Sequence, residues 1–261
     1  MSNDALIAAI GDELHNALET RTTVSPISKR GHNLTLPDAY RIQERMLSHR
    51  INAGHRVIGK KVGATSKAVQ AMLDVAQPDF GLLLDSMVFS DGEAVPMSRL
   101  IQPKAEGEIA FLLKRDLMGP GLTGADILRA TEGVLPCMEI VDSRIADWKI
   151  GIIDTVADNA SCGVLVLGDR LVDPRKLDLS LAGLVMERNG DVSVTGAGAA
   201  VLGSPVNAMC WLANTLGALG IPLKAGEIIL SGSLVPLVAV QAGDNFRVSI
   251  GGIGGCSVRF V

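Results

Sequence analysis

From Val57 to Val261 the chain reads as a succession of short β-rich runs cut by glycine-containing turns, and only three helical stretches interrupt them. The runs are Val57–Val62, Leu82–Phe89, Glu106–Leu113, Val134–Val141, Gly163–Leu167, Leu181–Glu187, Val192–Thr195, Glu227–Ser231, Ala239–Val240, Asn245–Ile250 and Ser257–Val261. Asn189-Gly190 is a type I′ hairpin signal, and Ala242-Gly243-Asp244 marks a further turn. Helical patterns fall at Ser66–Leu73, Gly124–Glu132 and Pro205–Leu219. A doubly wound fold needs a helix after nearly every strand, so this order predicts an α+β domain on a rolled or sandwiched sheet. Gly252-Ile253-Gly254-Gly255 opens no helix and is expected to be a turn rather than a phosphate loop.

The first 56 residues have a different texture. Leu6, Ile10, Leu14 and Leu18 form one stripe of a helix over residues 4–20. A second amphipathic helix over Pro37–Ala53 turns Ala39, Ile42, Met46 and Leu47 inward. The expected organisation is a helical segment, residues 1–56, packed on a β-rich catalytic domain, residues 57–261. The helix at 205–219 lies in the uncharged stretch Val192–Leu223, yet at 1.5 Å per residue it rises only ~22 Å, too short for a ~30 Å bilayer core. A buried helix is expected there, with Ser204 as N-cap, Pro205 in the first turn and Gly220 as the stop.

Composition narrows the chemistry. A net charge of −4 with five Phe, two Trp and one Tyr offers neither the basic footprint nor the stacking rings of a nucleic-acid binder. The N-terminus carries no basic region ahead of its apolar run, and the four cysteines (Cys137, Cys162, Cys210 and Cys256) show no metal or redox spacing. Reduced thiols in a cytoplasmic protein are the expectation, with no membrane partner. All four histidines, His15, His32, His49 and His55, precede the β-rich body, so acid–base work in that body falls to carboxylates, Lys, Tyr or Cys.

The segment Lys104-Ala105-Glu106-Gly107-Glu108 leads into the apolar run Ile109–Leu113. In a strand Glu106 and Glu108 project to one face, and burying two neighbouring carboxylates is costly unless a cation lies between them. An exposed edge is the commoner setting for such a pair, but the apolar continuation argues for burial. A second apolar strand, Val134–Val141, carries Glu139 in its middle, and a buried carboxylate there needs a partner. Three carboxylates without imidazole or thiolate make a hard-oxygen site suited to Mg2+ or Mn2+. Cys137 reads as a core thiol. Of Lys60-Lys61, alternation sends one ammonium to the core and the other to water. Asp79 lies in the turn Gln77–Gly81, and the polar run Asp154–Gly163 is expected to be a loop that can wall a pocket.

Taken in order, IGKKVGATSKAVQ, QPDFG, PKAEGEIAF, LPCMEIVDSR, DTVADNASCG and the ending GGCSVRFV resemble the 2-hydroxypenta-2,4-dienoate (2-oxopent-4-enoate) hydratases. These are enzymes of bacterial meta-cleavage pathways within the fumarylacetoacetate hydrolase superfamily. The resemblance runs from the N-terminal helices to Val261. It implies a mixed β-roll, a divalent metal held by Glu106, Glu108 and Glu139, and Lys61 and Asp79 beside the substrate as a proton-transfer pair. Asn159 and Ser161 are the candidate contacts to substrate or water. The implied reaction adds water to 2-hydroxypenta-2,4-dienoate to give 4-hydroxy-2-oxopentanoate. The hydrolase branch uses a catalytic His that the body of this chain lacks. Two alternatives share the scaffold: a 4-oxalocrotonate decarboxylase, and a non-catalytic partner of that decarboxylase. Homo-oligomerisation and a complex with the decarboxylase are also implied.

Overall fold

A computed structural model describes residues 2–72, 75 and 77–261. The chain opens with helices α1 (Asn3–Thr20) and α2 (Leu36–Asn52), followed by strand β1 (Val57–Gly63) and helix α3 (Lys67–Met72). Then come β2 (Asp79–Leu84), β3 (Val88–Ser90), β4 (Ala94–Val95), β5 (Lys104–Leu113), helix α4 (Gly124–Ala130) and β6 (Thr131–Val141). Helix α5 (Ile152–Ala157) precedes β7 (Cys162–Leu167), the hairpin strands β8 (Gly183–Arg188) and β9 (Asp191–Ala197), and helix α6 (Pro205–Ala218). Strands β10 (Ile228–Ser233), β11 (Val238–Ala239), β12 (Asn245–Ile250) and β13 (Gly254–Phe260) complete the chain.

The larger sheet is ordered β2-β1-β10-β5-β6-β7-β3, with β11 pairing the start of β5, and the smaller is ordered β4-β13-β12-β8-β9. Both mix parallel and antiparallel pairs: β1 runs parallel to β10, and β5 antiparallel to β6. The α+β expectation holds. Alternation along β5 explains the layering. Ala105, Ile109, Phe111 and Leu113 enter one core, and Ala110 enters another. On the first face the smaller sheet comes so close that a Cβ on Gly107 would stand 2.6 Å from Leu184. On the second face lie α1, α2 and α5, through Ile10, Leu14, Ile42, Met46, Val156 and Ala157. Glu106 and Glu108 share the second face with Ala110.

Several sequence expectations are refined. The buried stripe of α1 runs through Ile7, Ile10, Leu14 and Ala17, one residue off the Leu6–Leu18 line at each end, because α2 packs across it there. Leu82–Phe89 is not one strand: a turn of 3-10 helix at Asp85–Met87 separates β2 from β3, which join opposite edges of the sheet. The polar run 154–163 forms the end of α5 and a tight turn instead of an open loop. The helix expected at Ser66–Leu73 is present as α3, and its Leu73 lies outside the described residues. Helix α6 begins as expected, with Ser204 accepting from the Val206 N–H and Pro205 in the first turn, and Gly220 follows it at φ 75. Among the described residues no helix is long and apolar enough to cross a membrane.

Candidate active site

The register of β5 against β6 sets Glu106 directly opposite Glu139 and Glu108 opposite Cys137. Paired residues on one face have Cβ atoms ~5 Å apart, so all three acidic side chains reach one another. One carboxylate oxygen from each of Glu106, Glu108 and Glu139 lies within 4.8 Å of the others. Glu139 is fully buried, and Glu108 nearly so. Glu108 accepts from the Gly232 N–H at 2.7 Å, whereas Oε2 of Glu139 has no hydrogen-bond donor.

Lys61 reaches this cluster from three strands away. Its ammonium donates to Glu139 Oε1 at 2.5 Å and to the Ala160 carbonyl at 3.0 Å. Strands β10 and β5 stand between β1 and β6, and on a flat sheet three spacings of ~4.8 Å would keep the two side chains apart. The sheet therefore curls over this face, which is the physical content of the roll. Lys60 departs from expectation. It is buried too, on the opposite face, because its ammonium pairs with both oxygens of Glu227 at 2.7 Å instead of reaching water.

Asp79 is the first residue of β2, not a turn residue, and it is buried with its Oδ1 unpartnered. It lies against β1 so closely that a Cβ on Gly63 would be 2.1 Å from Oδ1. Lys61, Asp79, Glu106, Glu108 and Ser161 line one cavity of about 480 Å3, whose outer wall includes the apolar side chains of Val69, Ile150, Pro236 and Leu237. Ser161 hydrogen-bonds Asp158 Oδ2 at 3.2 Å. Asn159, expected as a contact to substrate, is turned away. Its amide donates to the Leu82 carbonyl and accepts from the Leu82 N–H, and so pins β2 to the 159–161 turn. That turn has three successive residues at positive φ, Asn159, Ala160 and Ser161. Behind it the buried Arg144 binds Asp158 and the carbonyls of Asp142, Asp158 and Cys162, fixing a backbone that costs of order 1–3 kcal/mol per strained residue.

The electrostatics call for a cation. Burial, and then the charge of Glu139, push Glu106 up to about 7, and burial with both neighbouring carboxylates pushes Glu108 well above its ordinary value. Burial pulls Lys61 down, but the surrounding carboxylates, Glu139 foremost, more than offset it and its pKa is raised. Burial likewise raises Asp79 to about 6, against the pull of Lys61. A single ammonium cannot neutralise three crowded carboxylates, and Glu139 Oε2 has no donor. An all-oxygen set with an orphaned buried oxygen fits a hard divalent ion. Cys137 is a core thiol whose pKa burial raises well above its usual value.

Sequence reasoning passed over Lys104 and Trp148, both on the cavity wall. The Lys104 ammonium stands 4.3 Å from the centre of the Trp148 ring. Burial lowers its pKa, and among the described residues it makes no ion pair. A signal was available: the alternation that aligns Glu106 with Glu108 places Lys104 in the same row.

The mixed roll thus carries its buried carboxylates, with Lys61, on and behind the wall of one cavity. Residues 52–261 match the family model described as fumarylacetoacetate (FAA) hydrolase, C-terminal, and the chain belongs to that family. It is similar to a 2-hydroxyhexa-2,4-dienoate hydratase of Comamonas testosteroni, 56% identical over 100% of this chain and 99% of that protein. It is also 63% identical to a 2-hydroxypent-2,4-dienoate hydratase of Pseudomonas putida over 83% of this chain and 98% of that one. Among solved structures, the 4-oxalocrotonate decarboxylase of Pseudomonas putida G7 with magnesium and adipate superposes with a TM-score of 0.96 at 36% identity, covering 100% of this chain and 99% of that one.

Proposed function

We infer that this chain is a hydro-lyase that adds water to 2-hydroxypenta-2,4-dienoate, giving 4-hydroxy-2-oxopentanoate in meta-cleavage breakdown of aromatic compounds. The observation that carries the reading is the cluster of three buried glutamates, of which Glu106 and Glu108 line one cavity with Lys61 and Asp79 while Glu139 pairs with Lys61, in a chain more than half identical to proteins named as 2-hydroxydienoate hydratases. Glu106, Glu108 and Glu139 would hold Mg2+ or Mn2+. Bound there, the ion would chelate a 2-oxo acid and polarise its keto group.

The chain's own groups handle protons. Isomerisation of the 2-hydroxydiene to the conjugated 2-oxo-3-enoate removes a proton from O2 and delivers one to C5. Water addition then removes a proton from the water attacking C4 and delivers one to C3. Lys61 holds a proton at Nζ, 2.5 Å from Glu139, and Asp79 is a base once ionised above about 6. We assign these two as the proton-transfer pair, with Ser161 positioned to contact substrate or water. The apolar outer wall excludes water from the diene tail.

All of these residues lie within 57–261, which we take as the catalytic domain, with residues 1–56 as a helical segment packed on it. Four free thiols suit a reducing cytoplasm. Removal of CO2 from 4-oxalocrotonate leaves this hydratase's substrate, so a homo-oligomer paired with a decarboxylase of the same fold is a natural assembly. The test is to supply each substrate to the purified chain with Mg2+. Loss of diene absorbance without CO2 release from 4-oxalocrotonate supports the hydratase. Decarboxylation, or inactivity of the metal-loaded protein on both substrates, overturns it.

A further inference from the structure

Lys104, Glu106 and Glu108 occupy alternate positions of β5, so all three side chains line the same face and the same cavity. The charge balance there is incomplete without Lys104. Glu106, Glu108, Glu139 and Asp79, when ionised, supply four negative charges. Lys61 and a divalent ion return three, so an incoming organic anion would meet a net negative site. Lys104 removes that last charge, and it is not committed to any described carboxylate.

The ammonium also has a built seat. It stacks over the Trp148 ring at 4.3 Å, and Trp148 is presented by two consecutive non-glycine residues in the left-handed region, Asp147 at φ 58 and Trp148 at φ 55. The Trp148 indole N–H donates to the Gln102 carbonyl at 2.9 Å. The Gln102 side-chain amide donates in turn to the carbonyls of Ser143 and Ile145, at 2.8 and 2.5 Å. Non-glycine backbone in that region persists only where its surroundings enforce it. Here the enforcement fixes the ring over which the Lys104 ammonium sits.

Resting on the hydro-lyase reading, we propose that Lys104, seated on Trp148, pairs with the substrate's C1 carboxylate alongside the ion. It supplies a charge-assisted contact that the acid needs and a neutral analogue does not. The contact acts on binding, so its loss falls mainly on KM and leaves most of kcat.

Pyruvate serves as the minimal 2-oxo acid probe and methyl pyruvate as its uncharged counterpart, both titrated calorimetrically into the Mg2+-loaded protein. A hydrogen bond to an ionised partner lost on substitution weakens binding ~10- to 100-fold. Lys104→Met is expected to weaken pyruvate by that factor, to leave methyl pyruvate within a few fold, and to leave Mg2+ affinity unchanged or slightly tighter. Lys104→Arg, which keeps the charge, restores pyruvate binding. Lys104→Gln provides the same comparison should the methionine variant not fold. Equal affinity of wild type and Lys104→Met for pyruvate overturns the assignment, as does an equal loss of acid and ester. Wild type that binds Mg2+ and pyruvate in this charge-dependent way yet hydrates no dienoate overturns the hydro-lyase reading and leaves the role of Lys104 standing.

Discussion

Lys60 and Lys61 leave adjacent positions of β1 on opposite faces of one sheet, and each ends on a carboxylate, part-buried Glu227 in one case and buried Glu139 in the other. The same residue type has been put to two uses. Lys61→Met should lower turnover by at least ~100-fold, the scale of a lost proton-transfer group, while metal content stays intact. Lys60→Met should leave kcat within a few fold but deprive part-buried Glu227 of its partner, at about 1–3 kcal/mol of stability. Urea unfolding and steady-state rates on the two variants separate these outcomes. Unchanged turnover in Lys61→Met would remove its assigned role.

Metal should be worth a visible increment of stability. An ion that binds only the folded chain adds about 2.7 kcal/mol at a hundredfold excess over its dissociation constant, or roughly 5–10 °C in Tm for a chain of this size. Wild type should show this upward shift with Mg2+ and lose it on chelation. Glu108→Gln should melt at the same temperature with or without the ion. A Glu108→Gln protein that is stabilised as much as wild type would defeat the three-glutamate assignment.

The buried Asp79 sets a pH signature. Its carboxyl is raised in the folded state, so its proton stabilises the fold fully below the unfolded value near 3.8, and that stability is lost as the pH climbs through about 6. The displacement corresponds to about 3 kcal/mol. Asp79→Asn should therefore stabilise the metal-free protein by up to that amount at pH 8 and by little at pH 4, while abolishing activity. Denaturant titrations at the two pH values read the difference directly, and a stabilisation independent of pH would contradict the buried, ionising carboxylate.

Gly63 offers a test that leaves every reactive group in place. A methyl group there would stand 2.1 Å from Asp79 Oδ1, so the carboxylate must move. Gly63→Ala is expected to cut kcat at least tenfold, since misplacement by an ångström at a reacting group is costly, with metal affinity near wild type. Rates within a factor of two would mean that Asp79 does not need its observed position.

How much of this was legible beforehand depends on how far apart the interacting residues lie in the chain. Period-two alternation within one strand was enough to align Glu106 with Glu108, apolar flanks were enough to mark Glu139 as buried, and local capping chemistry placed α6 from Ser204 to Gly220. These are properties of neighbours along the backbone, governed by strand pleat and helix hydrogen bonding. The same alternation misjudged Lys60, because whether a polar face meets water or Glu227, 167 residues away, is not a local property. Asp79 and Asn159 were misplaced for a related reason: a turn-forming residue type becomes a strand start or a strand clamp when Gly63 or Leu82 is packed against it. Only the folded sheet decided that Glu106 faces Glu139, that curvature brings Lys61 to Glu139, and that Trp148 seats Lys104. Register and curl arise from the packing of whole layers, where burial of many side chains outweighs the preference of any one of them.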